Sequence, residues 1–295
     1  MLAALHPLFR PVQANGRVPA YRYAERLPSP ALRPYVACYW LSEPASSGPT
    51  AHPGDDEAID RVLPDGCTDI LFEYELLHRR CRIRYAGFDE RPFAIEYRAD
   101  RPAVKFGIRF FPGGAFPFLR FPLSEFSGML LPLDEAWPGF GKGIAERIFE
   151  SENMDGKVRA AERFLLSRLQ ASGSPVDDTM GNLLFRIFRS GGNVGVTELA
   201  AAEGISSRQM NRKFDRWIGA NPKTFCEIVR FQTVLRQIGG EGRPDWLALA
   251  LDRGFYDQSH LNREFKRFYG ASPTAAFREF RGMSDLSKRS GSPFP

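Results

Sequence analysis

The sequence predicts an α+β chain of two domains. The first is a mainly antiparallel β domain, barrel-like or a sandwich, with flanking helices, and the second is all-α with two helix-turn-helix motifs. Three observations predict it. Strand-like alternation is confined to roughly the first 110 residues, helical periodicity dominates thereafter, and one helical unit occurs twice at a spacing of 51 residues. Alternation at period two buries one face of a strand, whereas apolar residues three and four apart bury one face of a helix.

In the first half, Arg61-Val62-Leu63 and Thr68 to Tyr74 flank a Pro64-Asp65-Gly66 turn and read as two strands, or as one strand broken by a tight turn. Cys81, Ile83 and Tyr85 alternate with Arg80, Arg82 and Arg84, and Val104, Phe106, Ile108 and Phe110 alternate with Lys105, Gly107 and Arg109. Each run is a strand with one buried face. Asp65, Cys67 and Asp69 fall on one side, where a buried carboxylate needs an arginine partner; as residue types they read as turn and core positions in preference to a ligand site. Phe111-Pro112-Gly113-Gly114 turns the chain. Helices follow within Leu123 to Met129, Gly143 to Glu150 and Asp155 to Gln170, the last with Val158, Ala161, Phe164, Leu165 and Leu169 on one face. That stripe is expected to pack on the core rather than form a dimer interface.

The stretch Met210 to Pro222 returns as Leu261 to Pro273, with Asn-Arg at the same place in both copies. Leu199-Ala200 and Gly204 likewise match Leu249-Ala250 and Gly254 at an offset of 50, so a one-residue slip sits in the turn. Each copy reads as helix, sharp turn, second helix. Leu199 and Ala200 form an inner face, Gly204 takes a left-handed bend that other residues resist, and Ile205 returns to the core. Ser206 or Ser207 then caps a helix whose buried residues are Met210, Phe214 and Trp217. The second copy supplies Ala250, Gly254 and Phe255, Asp257 or Ser259 as cap, then Leu261, Phe265 and Phe268.

This order is the helix-turn-helix pattern, which presents its second helix to a DNA major groove. Off the buried stripe lie Arg208, Asn211 and Arg212 in the first copy, and Gln258, His260, Asn262 and Arg263 in the second. Arginine and the amide side chains carry forked donors and acceptors that fit guanine and adenine edges. A single motif is as readily a plain helical pair with a polar face; a second copy at fixed spacing favours nucleic acid. Between the copies, Thr224 to Ile238 reads as a continuous helix, roughly 22 Å long at 1.5 Å per residue. Such a strut could aim two recognition helices at successive major grooves, about 34 Å apart.

From about Val176 to Arg281, with GISSRQMNRKFDRWIGANP and LALALDRGFYDQSHLNREFKRFYGASPTAAFR, the chain closely resembles the DNA-binding domain of AraC/XylS-type bacterial transcription regulators. The resemblance implies base readout by Arg208, Asn211 and Arg212 and by Gln258, His260, Asn262 and Arg263, with double-stranded DNA and RNA polymerase as partners. The sequence departs from the pattern in the Gly-rich linker from Gly239 to Pro244, which predicts a looser tether for the second motif. Upstream, RVLPDGCTDILF, FGIRFFPGGAF, PLSEF and LLPLDEAW resemble an uncharacterised kind of N-terminal domain found ahead of AraC-type DNA-binding domains. That resemblance implies sensing of a small-molecule effector or homodimerisation.

Charge divides the chain the same way. Residues 1–175 hold 22 Lys+Arg and 22 Asp+Glu, residues 176–295 hold 18 and 13, and the net +5 therefore lies in the C-terminal part, where phosphate attraction would need it. The alternative reading of Arg216, Arg267 and Arg278 is that they solubilise the surface or pair with nearby carboxylates. The expected layout is a sensing or dimerisation domain over 1–172, a DNA-binding domain over 173–283 with motifs at about 196–218 and 246–269, and a flexible tail over 284–295. Ala171 to Pro175 has linker composition.

The apolar run Met1 to Phe9 is too short for a membrane span, and four cysteines without framework spacing suit a reducing cytoplasm. No catalytic residue, cofactor or metal site is expected. Gly139 to Gly143 lacks the spacing and hydroxyl of a phosphate loop, and His52 beside Asp55, Asp56 and Glu57 reads as a solvated loop. Two rival functions remain. A DNA-repair alkyl-acceptor would need Cys38, Cys67 and Cys81 gathered on zinc. An effector-independent DNA-binding protein would bind only a protein partner through its first domain. A deep apolar pocket lined by Phe106, Ile108, Tyr85 or Trp40 would favour a small-molecule sensor over the latter.

Overall fold

The computed structural model describes residues 5–14, 20–45, 60–95, 101–139, 143–172, 177–240, 242 and 244–280. The expected solvated loop around His52, the central residues of the Gly139 to Gly143 connector, Gly173 to Pro175 of the linker and the tail lie outside the described residues. The sheet region contains β1 (Tyr21–Arg26), β2 (Val36–Pro44), β3 (Asp60–Val62), β4 (Thr68–Glu75), β5 (Arg80–Ala86), β6 (Phe93–Ile95), β7 (Ala103–Phe110) and β8 (Leu130–Pro132). Six of these form one antiparallel sheet in the order β1-β2-β7-β4-β5-β8. Its ends are left as edges, so among the described residues the sheet is open and not a closed barrel. β3 and β6 pair separately as a two-stranded ribbon, which assigns the two strands flanking Pro64-Asp65-Gly66 to different sheets.

One sheet face is the core. Tyr39, Ile70, Phe72, Tyr85, Phe106, Ile108 and Phe110 are fully buried there. The short helices α1 (Phe116–Leu119), α2 (Leu133–Ala136) and α3 (Ile144–Glu150) join it, as does α4 (Met154–Ser172) through Ala161 and Leu165, with Val158, Phe164 and Leu169 packed alongside. The stripe on α4 therefore covers core, as its spacing predicts. The opposite sheet face is not simply solvated, because Arg109 is buried on it.

The helical region follows the order α5 (Asp178–Arg189), α6 (Val196–Ala202), α7 (Ser207–Trp217), α8 (Pro222–Ile238), α9 (Trp246–Asp252) and α10 (Gln258–Tyr269), with a last helical stretch over 273–280. Asn221 caps α8 by accepting the Thr224 N–H at 2.9 Å, and Pro222 opens it, the position where a missing N–H costs nothing. Its Phe225, Ile228, Val229, Phe231, Val234 and Leu235 are buried.

The apolar core runs from the sheet into the helices as one cluster. Phe9 stacks on Phe188 with ring centroids 4.6 Å apart, and Phe116 meets Trp217 at 4.5 Å. Gln232 of α8 is fully buried, accepts the Val12 N–H at 2.8 Å and donates to the Pro64 carbonyl at 2.8 Å. At the same turn Gly66 has φ +81°, and a Cβ there would come within 2.9 Å of the Phe225 ring. Only glycine fits a left-handed bend pressed so closely on α8.

Candidate nucleic-acid interface

Both recognition helices start at a built cap. Ser206 accepts the Gln209 N–H at 3.2 Å while the Gln209 side chain accepts the Ser206 N–H at 2.8 Å, a reciprocal pair that satisfies two otherwise orphaned donors. Asp257 caps α10, accepting the His260 N–H at 2.6 Å. The turns bend at Gly204 (φ +63°) and Gly254 (φ +74°). The one-residue slip between the copies is Tyr256, which is 88 % exposed.

Burial sets the outward faces. Met210, Phe214 and Trp217 of α7, and Leu261, Phe265 and Phe268 of α10, point inward. Arg208, Asn211 and Arg212 are exposed on α7, as are Gln258, Asn262 and Arg263 on α10, and none of the six makes a hydrogen bond or ion pair among the described residues. His260 is placed differently. It is half-buried, its Nδ1 accepts the Tyr256 N–H at 3.3 Å, its Nε2 lies 3.7 Å from Glu264, and its ring meets Phe255 edge-on at 5.4 Å. Its imidazole thus braces the start of α10.

Sequence reasoning missed the ion pairs that hold these helices. Arg230 of α8 grips Glu264 of α10 with two arms, one at 2.9 Å, and stacks over Phe255 at 4.6 Å. The legible signal was Glu264 sitting in register with Leu261 on an otherwise apolar stripe. Arg267 donates to Glu227 at 2.8 Å and lies 3.9 Å from Glu90, and Arg216 lies over the Phe116 ring at 5.0 Å. Arg267 is thus held by a carboxylate, as its alternative reading anticipated, whereas Arg216 is held over an aromatic ring.

The other polar site is a cavity of about 220 Å³ between the six-stranded sheet and the β3–β6 ribbon. Trp40, Leu71, Arg84, Lys105 and Arg109 line it from the sheet, and Val62, Phe93 and Ile95 from the ribbon. This corrects the expected lining: Phe106, Ile108 and Tyr85 fill the core on the opposite face, and only Trp40 reaches the cavity. Alternation puts them there, since Trp40 pairs with Gly107 in the phase opposite to Phe106 and Ile108. At one end, Arg109 lies 3.4 Å from Asp69 and 4.0 Å from Asp65, whose carboxylate also takes the Cys67 N–H at 2.8 Å and the Gln13 amide at 2.7 Å. Burial pushes the Asp65 carboxyl up and the Arg109 charge opposes it. The arginine partner predicted for this turn is therefore Arg109. Asp89 lines the same end, raised to about 6 by burial and by the charges of Asp65 and Asp69.

Cys38 and Cys67 are buried and Cys81 is exposed; among the described residues no three His, Cys, Asp or Glu side chains gather so as to hold a metal ion. No described helix is long and apolar enough to cross a membrane.

Two capped bihelical units, whose second helices carry Arg and amide side chains unpartnered among the described residues, define a protein of the helix-turn-helix class. Residues 199–279 match the family described as a helix-turn-helix domain, and residues 24–132 match a domain of unknown function (DUF6597). The chain thus carries a helix-turn-helix domain, preceded by that uncharacterised domain. It is 28 % identical over 99 residues to the HTH-type transcriptional regulator MtrA of Neisseria gonorrhoeae, covering 33 % of this chain and 32 % of that protein. It thus spans about a third of the length of that relative. Among solved structures, ToxT from Vibrio cholerae overlaps 72 % of this chain and 89 % of its own with a TM-score of 0.39 at 11 % identity. A ToxT structure with bound unsaturated fatty acid overlaps 76 % and 91 % with a TM-score of 0.36 at 10 % identity. Both are too distant to bear on this chain's chemistry.

Proposed function

We propose that this chain is a transcription regulator that reads double-stranded DNA with both helix-turn-helix units and is controlled by a small molecule through its sheet domain. The observation that carries the reading is the matched pair of exposed surfaces, unpartnered among the described residues, formed by Arg208, Asn211 and Arg212 on α7 and Gln258, Asn262 and Arg263 on α10. Arginine would take guanine and the amides adenine, each good bidentate contact giving about 1–3 kcal/mol of discrimination. His260 serves chiefly to hold α10 in place, with its exposed edge available to the backbone. The division is a sensing domain over 1–172 and a reading domain over 173–283. RNA polymerase and a second copy of the chain are the partners that the AraC resemblance implies, and the reading involves no catalysis.

Control would pass through the turn at Pro64-Asp65-Gly66. Asp65 faces the cavity, Gln13 bridges it to the backbone of Leu63, and Pro64 and Val12 bond Gln232 of α8. A ligand that alters the Asp65 end can shift the helices only by binding two arrangements unequally. The cavity favours a small-molecule sensor over a domain that binds only a protein partner.

The test is Arg212→Ala and Arg263→Ala on a selected target duplex and on its scrambled counterpart. Each variant should lose roughly 1–3 kcal/mol on the target and much less on the scramble. Equal losses on both would reduce these arginines to phosphate contacts.

A further inference from the structure

Strand register builds the cavity floor in three rungs. Ser42 faces Lys105; next, Trp40 faces Gly107, and Leu71 faces both Gly107 and Arg84; the third rung sets Asp69 opposite Arg109 and Ala86. The middle rung is flat and apolar across Trp40, Gly107 and Leu71 and ends in Arg84. A Cβ on Gly107 would fall 2.0 Å from the Trp40 ring, so the indole lies on a strand that glycine leaves bare. Its N–H is locked onto Asp69 at 2.7 Å. Val62, Phe93 and Ile95 form the roof.

The first rung and the end of the second present donors that the described residues leave unused. Ser42 is only 4 % exposed, lines the cavity, and its hydroxyl finds no partner among the described residues. Arg84 binds Glu73 through one amino group at 3.0 Å, while its buried Nε–H also finds none. Lys105 adds a charge to the first rung between Ser42 and Glu73, its ammonium pushed down by burial and held up in part by Glu73. Buried polar groups in folded proteins are nearly always bonded, so two idle donors lining one cavity point to an acceptor within it. At the opposite end Asp89 makes no hydrogen bond among the described residues.

We propose that the cavity binds a flat, single-ring monocarboxylate, its carboxylate accepting from Ser42 and Arg84 beside Lys105, its ring lying on Trp40, and an amino or hydroxyl substituent donating to Asp89. Size sets the limit. A cavity of roughly 150 Å³ holds benzene, and about 220 Å³ adds room for a carboxylate and one small substituent. The assignment rests on the effector role proposed above for the sheet domain.

Calorimetric titration of the full chain with 4-aminobenzoate tests it, because that molecule carries a carboxylate at one end and only donors at the other. One-site saturable binding is expected, with the methyl ester at least roughly tenfold weaker and benzoate several-fold weaker. Ser42→Ala and Arg84→Met should each weaken 4-aminobenzoate by roughly tenfold while leaving its binding to DNA intact. Equal affinity for acid and ester, unchanged affinity in both variants, or no saturable binding of the acid at millimolar concentration would overturn the ligand class. Gel shifts on a selected duplex run in parallel. Failure of the unmutated chain to bind DNA would overturn the regulator reading instead, and binding of the acid alone cannot rescue it.

Discussion

The two copies of the helix-turn-helix unit present the same kinds of side chain outward but are fixed to the sheet region by different forces. The first is anchored by apolar contact and backbone. Trp217 packs on Phe116, and Ser127 donates to the carbonyl of Gly219, whose Cβ would strike that same hydroxyl at 2.7 Å. The second reaches the sheet region through charge. Arg267 approaches Glu90 at 3.9 Å, Arg61 approaches Glu279 at 3.5 Å, and Arg61 lies over Tyr269 at 5.4 Å. Apolar burial is not subject to charge screening, whereas exposed ion pairs are screened over about 10 Å at 0.1 M. Duplication has copied the reading surface and left the mounting free to diverge, so the second unit is the one whose position salt and neighbouring charge can adjust.

The largest expected effect breaks the first mounting. Trp217→Ala should cost roughly 3–5 kcal/mol of unfolding free energy in urea titrations. A loss below about 1 kcal/mol would mean that the apolar anchor is not what holds the first unit. Glu264→Ala comes next. It strands Arg230, whose side chain is 14 % exposed, and should cost about 2–4 kcal/mol, with part of the loss recovered when Arg230→Ala is added. Strict additivity of the two substitutions would show that the pair contributes nothing.

Asp89, beside Glu90 on the docking side of the second unit, gives a smaller, pH-dependent effect. Its folded pKa of about 6 exceeds that of an unfolded aspartate, near 3.9. Between those values the folded state holds a proton that the unfolded state has lost, so stability declines as pH rises from about 4 to about 6. Asp89→Asn should therefore match the parent near pH 4 and exceed it at pH 7 by about 1 kcal/mol, a figure reduced for partial exposure. A variant less stable than the parent at pH 7 would reverse the sign. The smallest effect is Glu90→Gln, expected within about 0.5 kcal/mol in stability. It should nevertheless abolish most of the salt dependence of amide exchange in α10 while leaving α7 unchanged, and equal salt dependence in both helices would erase the contrast between the mountings.

Local rules carried much of the architecture. The strands around Phe106 and Tyr85, the bends at Gly204 and Gly254, the cap at Ser206 and the length of α8 all follow from periodicity and turn chemistry within a few residues. The outward faces of α7 and α10 follow from the same stripes. What local patterns could not carry is pairing over long separations. Arg230 and Glu264 are 34 residues apart, and Gln232 bonds Val12 at a separation of 220. His260 looked outward by helical phase, yet the extra residue Tyr256 supplies an N–H that draws its ring back. The cavity was misplaced because alternation tells which residues share a face without telling which face a ribbon will cover.

Selection of binding sites from randomised duplex DNA by the full chain tests the duplicated reader most directly. The enriched sequences should hold two specified blocks whose centres lie about one helical turn, 10–10.5 base pairs, apart, with Arg212→Ala relaxing one block and Arg263→Ala the other. Enrichment of a single block that neither substitution alters, or of no sequence at all, would contradict it.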